Sequence, residues 1–125
     1  MVEERDSLTA QVIGLAIGVH RELGPGLLES AYEQCLCYEL SQAGISFERQ
    51  VPLPIRCKAV DLDCDCRLDV VVDRSLVLEL KAIEKLLPAH DAQMLSYLKL
   101  GRFKVGLILN FHSPVLKDRI RQLVN

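Results

Sequence analysis

The sequence predicts a mixed α/β (α+β) fold, a central β-sheet flanked by helices in the order α-α-β-β-β-α-β-α. Three observations carry that prediction. Two segments with apolar residues at three- and four-residue spacing open the chain, and Gly24-Pro25-Gly26 separates them. Residues 67–82, RLDVVVDRSLVLELKA, hold two short apolar runs on either side of Asp73-Arg74-Ser75, the pattern of a tight β-hairpin. Residues 104–111, KVGLILNF, form a continuous apolar run of the kind that is buried on both faces of a sheet.

Taken in order, Asp6 or Ser7 can cap a first helix from about Leu8 to Leu23, with Leu8, Val12, Leu15, Ala16, Val19 and Leu23 at helical spacing. Gly14 and Gly18 lie one turn apart and would let another backbone approach closely. Gly24 suits a left-handed cap, and Pro25 cannot continue the helix. A second helix is expected from about Leu27 to Ala43, ending at Gly44, with Leu28, Tyr32, Cys35, Leu36 and Leu40 as its apolar stripe. Residues 45–55 read as a strand whose Pro52 and Pro54 place it at a sheet edge or strand end. Residues 57–66 read as a polar hairpin connection and strand start. Asp61, Asp63 and Asp65 have calcium-loop spacing, but no glycine or distal glutamate completes that motif. After the central hairpin, a helix is expected from about Ala89 to Leu100, closed by Gly101, then the buried strand, then a short amphipathic helix from Val115 to Val124.

With 125 residues, half of them hydrophobic and 26% charged, the chain is expected to be one globular domain spanning residues 1–125. No apolar run approaches the roughly 20 residues that span a bilayer. The acidic start MVEERDSLTA lacks the order of a signal peptide, so a cytoplasmic location is expected. Five cysteines without such a signal argue against a disulfide framework. The two Cys-x-Cys pairs, Cys35/Cys37 and Cys64/Cys66, lack the usual zinc-finger spacing and fit small core residues better. Charge is unevenly spread: the net charge of −2 divides into +5 from Leu98 onward and −7 before it. The basic residues of that end are Lys99, Arg102, Lys104, Lys117, Arg119 and Arg121, a candidate phosphate-binding surface or simply a solvated one.

The hairpin carries charge where burial is expected. On a strand with a side-chain period of two, Glu79 and Lys81 share a face, while Leu78, Leu80 and Ala82 face the other way. If Asp69 on the neighbouring strand shares the acidic face, two carboxylates and an ammonium converge. Like charges at close range need a cation between them or a proton on one of them. An exposed face with an idle Glu–Lys pair is the plainer alternative. Glu29, bordering the buried face of the second helix near its start, could serve only the helix dipole. Gln93 and Tyr97, four residues apart, share a face of the later helix, with His90 close by.

Taken together, these residues resemble a known family. An acidic residue on the second strand and Glu-x-Lys on the third, within an α-β-β-β-α-β order, are similar to the PD-(D/E)XK nuclease superfamily. Gly26-Leu27-Leu28-Glu29-Ser30-Ala31-Tyr32 resembles the signature of its small bacterial GxxExxY branch, as do RLDVVV, LELKAIEKLLPAHDAQMLSYLKL and LILNF. The resemblance implies a restriction-endonuclease-like core and metal-dependent hydrolysis of nucleic acid, with DNA ahead of RNA. It implies Mg²⁺ or Mn²⁺ held by Asp69, Glu79 and the carbonyl of Leu80, with Glu29 as a further acidic ligand. It further implies Lys81 at the attacking hydroxide and the developing charge, and Gln93 and Tyr97 lining the site. Leu68 stands where the superfamily has a proline before the aspartate. A chain this small would need a homodimer or a larger partner to clamp a duplex. A catalytically silent nucleic-acid-binding or structural homodimeric module with the same fold is the alternative.

Overall fold

The computed structural model describes residues 2–62 and 65–125, the side chains of residues 2–6 and of Lys117 excepted. The chain runs α1 (Val2–Leu23), α2 (Glu29–Gln42), β1 (Phe47–Pro52), β2 (Arg56–Cys57), β3 (Val60–Asp61), β4 (Arg67–Val72), β5 (Leu76–Lys81), α3 (Pro88–Gly101), β6 (Val105–Asn110), a 3-10 turn (Leu116–Arg119) and β7 (Ile120–Val124). Five strands form one mixed sheet in the order β1-β4-β5-β6-β7, and β2 and β3 make a separate small hairpin. Among the described residues, only β5 and β6 pair in parallel, joined by α3. The expected mixed sheet flanked by helices is therefore present.

Alternation along the strands divides the core. Leu76, Leu78 and Leu80 of β5, with Leu107 and Leu109 of β6, pack under α1 and α2 against Val12, Ala16, Tyr32 and Leu36. Val77 and Ile108 face the other way, onto Met94 and Leu98 of α3. β6 is buried along its whole length, as its unbroken apolar run requires. The hairpin turn closes with positive φ at Asp73 (52°) and Arg74 (54°), the primed geometry whose twist matches paired strands. β1 is the edge strand that its prolines foretell.

Two expectations are corrected. The segment from Val115 to Val124 is a 3-10 turn followed by a strand, with β7 paired antiparallel to β6 from Ile120↔Leu109 to Val124↔Val105. Without β7, the outer edge of β6 would leave a row of backbone amides and carbonyls unpaired, and that demand overrides the local helical pattern. Gly14 and Gly18 face open space, where an added Cβ would meet nothing within 4 Å, so they admit no close neighbour. The expected polar hairpin connection is present as the β2–β3 hairpin of residues 56–61, with Asp61 paired to Arg56 (3.2 Å) and Asp65 to Arg67 (3.2 Å); Asp63 and Cys64 lie outside the described residues.

The approach of α3 to the sheet is set by Gly106, where a Cβ would stand 2.5 Å from Met94 Sδ, a buried side chain. Gly106→Ala should therefore lower stability by about 1–3 kcal/mol through overpacking. A smaller residue at 94 should restore part of the loss, as read from urea unfolding of the single and double variants.

Candidate active site

The β4–β5 ladder pairs Val72↔Leu76, Val71↔Val77 and Val70↔Leu78, and extends no further toward the open end. Just beyond it, side chains replace backbone partners. Asp69 Oδ2 accepts the amide of Leu80 at 2.9 Å, and Glu79 Oε1 accepts the amide of Asp69 at 3.2 Å. Each carboxylate is thus fixed by an amide of the splayed strand pair. Glu79 is only 7% exposed and Asp69 is half-buried.

Burial, then the charge of Asp69, pushes Glu79 from 4.5 up to about 7, against the Asp69 amide and Lys81. Burial also raises Asp69; the Leu80 amide opposes it, Glu33 adds to it, Lys81 opposes it, and Glu29 adds to it. Lys81 forms no direct ion pair with either carboxylate among the described residues, yet its charge holds both down. Asp69 and Glu79 therefore come together, and the buried Glu79 is not half of an idle exposed pair.

Two helices close the sides. The start of α2 is placed by Tyr32, whose hydroxyl donates to Gly24 O and accepts the Leu27 amide (3.0 Å), and whose ring stacks on Phe111 at 4.4 Å. Gly24 holds φ 77° as the expected left-handed cap. Glu29 then reaches the end of β5, where its Oε2 accepts the amide of Ala82 at 3.2 Å. From α3, Tyr97 lies close enough to both carboxylates to feel them: burial, a hydrogen bond with Cys66, and the charges of Glu79 and Asp69 push it above its usual range. Gln93, one turn earlier, is exposed, and its side chain makes no hydrogen bond among the described residues. His90 serves the helix start, its Nδ1 accepting the Leu87 amide at 2.8 Å.

Asn110 and Glu33 went unmarked in the sequence. Asn110, fully buried and opposite Lys81 in the β5–β6 register, binds Ile83 through both its amide atoms (3.1 and 2.9 Å) and pins the strand end that carries Lys81. Glu33 is buried beside Tyr32 and accepts from Arg49 and Gln50. The available signal for both was a polar residue inside an otherwise apolar pattern.

The six basic residues divide. Lys99, Arg102 and Lys104 sit at the end of α3 and the start of β6. Because β5 and β6 run in parallel from Leu76↔Val105 to Lys81↔Asn110, that end is roughly 17 Å from Lys81. Arg119 and Arg121 sit at the near end, beside Ile120↔Leu109, where they line a small cavity with Lys85 and Asp118. Arg121 is paired with Asp91 of α3. The side chain of Lys117 lies outside the described set.

No group of three or more His, Cys, Asp and Glu side chains converges as a closed metal cage among the described residues. Two neighbouring carboxylates form a different donor set, the hard-oxygen kind that suits a divalent cation retaining several waters. Asp69 Oδ1 and Glu79 Oε2 accept no hydrogen bond among the described residues. A carboxylate pushed up by its neighbour's charge gains most from a cation between them. The residues fit such a cation.

The raised Glu79 has a pH consequence. Its folded value lies above its ordinary 4.5, so its contribution to stability is complete below about 4.5 and is lost as pH rises through about 7. The metal-free chain should lose about 3 kcal/mol across that window. Glu79→Gln should flatten the loss, measured by urea unfolding in a chelator at each pH.

A family model for the PD-(D/E)XK nuclease superfamily matches residues 6–123. No curated protein and no solved structure matches the chain. No helix of the described residues is long and apolar enough to cross a membrane. The matched span takes in β1 to β6, β7 up to Leu123 and both helices beside the acidic pair, and by that match the chain belongs to the PD-(D/E)XK nuclease superfamily.

Proposed function

We propose that the chain is a divalent-metal-dependent nuclease that hydrolyses phosphodiester bonds of nucleic acid, with DNA the substrate to test first. The observation that carries the reading is the pairing of buried Glu79 with half-buried Asp69, each bonded to a splayed-strand amide, with Lys81 two residues along β5. Superfamily membership supports the reaction class, since such nucleases generally use divalent metals. Asp69, Glu79 and the carbonyl of Leu80 would hold Mg²⁺ or Mn²⁺, with Glu29 as a further acid at the rim. When bound, the cation supplies positive charge for activating water and for the phosphate under attack.

The chain's own residues do the rest. Lys81 holds the attacking water and offsets the charge gathering on the phosphoryl oxygens. Asn110 keeps that lysine's strand in place, and Tyr97 with Gln93 lines the α3 side. Arg119 and Lys85, at the same end of the sheet, take the flanking phosphates, a role that Lys99, Arg102 and Lys104 at the far end do not share.

The purified chain should cut DNA with Mg²⁺ or Mn²⁺ and stop in a chelator. Glu79→Ala and Lys81→Ala should remain folded and cut slower by about 100-fold or more. Mn²⁺ should raise the Tm of the wild type but not of Asp69→Asn. Cleavage unchanged in both alanine variants would sink the assignment. Binding that weakens steeply with salt, with no turnover under any metal, would instead mark a silent nucleic-acid-binding module.

A further inference from the structure

Gln50 is the residue of β1 that stands across from Asp69, and the pairing lapses at that position. Arg49↔Val70 and Val51↔Leu68 pair on either side, while Gln50 and Asp69 do not. Gln50 holds φ 51°, in the left-handed region that glutamine does not favour. A residue stays in such a conformation only where its surroundings over-determine it, and residues held this way cluster at functional sites.

Here the surroundings are one buried carboxylate. Gln50 Nε2 donates to Glu33 Oε1 at 3.1 Å and to Oε2 at 3.4 Å, and Arg49 Nε donates to Oε2 at 2.9 Å. Glu33 is 7% exposed, within the apolar face that Tyr32, Leu36 and Leu40 form. An apolar residue there would continue that face without the cost of burying a charge. Both oxygens of Glu33 already accept from β1, which occupies it with the edge strand. Its charge nevertheless acts on Asp69. Glu33 lies one helical turn beyond Glu29, which holds the chain at Ala82, just past the end of β5. Two carboxylates on successive turns of α2 thus hold β1 and the chain just past β5, and those two strands flank β4.

We infer that Glu33 is a positioning residue: with Arg49 it fixes Gln50 in its left-handed kink, and the kink keeps Asp69 directed at the amide of Leu80. Its consequence for metal binding rests on the nuclease reading, whereas its consequence for the Asp69–Leu80 bond does not. Glu33 touches no reacting atom. It sets the position of a residue that would.

The test uses the full chain and two readouts. The first is amide hydrogen exchange of Leu80 relative to Leu107 in β6, without metal. The second is the Mn²⁺ dissociation constant from electron paramagnetic resonance. Glu33→Gln keeps the shape but removes the charge. It should speed Leu80 exchange about 10-fold more than Leu107 exchange and weaken Mn²⁺ binding by roughly 10–100-fold, the usual range for the loss of an outer-shell partner. Glycine adopts positive φ freely, so adding Gln50→Gly to Glu33→Gln should restore both. Val12→Ala, a cavity under α1, should speed both amides alike and leave Mn²⁺ affinity unchanged. Equal acceleration of Leu80 and Leu107 in Glu33→Gln, or no rescue by Gln50→Gly, overturns the inference. A wild type that neither binds Mn²⁺ nor cuts nucleic acid overturns the nuclease reading instead, and the exchange comparison then decides the positioning role alone.

Discussion

Asp69 and Glu79 ought to repel, and they lie side by side because each takes an amide of the splayed strand pair. Two like charges about 4 Å apart at an effective dielectric of about 20 oppose each other by roughly 4 kcal/mol. Against that stand the Leu80 and Asp69 amides, the charge of Lys81, and the proton that Glu79 holds more tightly than an ordinary glutamate. The arrangement requires the β4–β5 ladder to give way beyond Val70↔Leu78, so that amides are left for side chains to take. The turn at Asp73 and Arg74 sets that register, since a slip of one residue would send Glu79 to the leucine face.

The surrounding elements follow from keeping this gap open. On one side, α2 is anchored by Tyr32 to the Gly24–Leu27 loop and to Phe111, and from that anchor Glu29 and Glu33 reach the sheet. On the other, the bare Gly106 lets Met94 sit against β6, which brings Tyr97 of α3 toward the acids. Asn110 ties the loop after β5 to the end of β6. Left-handed backbone at Gln50, in a residue with a Cβ, costs about 1–3 kcal/mol and is held where β1 passes Asp69. Gln50, Glu33 and Asn110 thus place one strained residue and two buried polar groups around one pair of carboxylates.

Much of this was legible in the residues. Period-two alternation put Glu79 and Lys81 on one face and Leu78, Leu80 and Ala82 on the other, and the two cores keep that division. The Gly24-Pro25-Gly26 break, the prolines of the edge strand and the unbroken run of β6 each named their element, because each is a local steric or hydrophobic signal. Other features were illegible for equally physical reasons. Gly14 and Gly18 suggested a close contact, but a glycine pattern does not say which face of a helix meets the core, and theirs meets solvent. Glu33 and Gln50 are 17 residues apart and meet only because α2 lies over β1, so no local spacing joined them. The basic residues looked like one patch because they are near in sequence, yet the direction of β6 carries them to opposite ends of the sheet.

The sequence by itself determined the kinds of element and the chemistry on offer: an aspartate on one strand, Glu-x-Lys on the next, and an acid at the start of a helix. These depend on side-chain period and residue type, which are properties of short segments. Tertiary structure decided which groups meet. It placed Asp69 beside Glu79 through register, made the last segment a strand because the edge of β6 needed a partner, and set Glu33 against the kink at Gln50. Pairing between distant segments depends on backbone hydrogen bonds that must be satisfied across the whole sheet, and no single segment encodes that requirement.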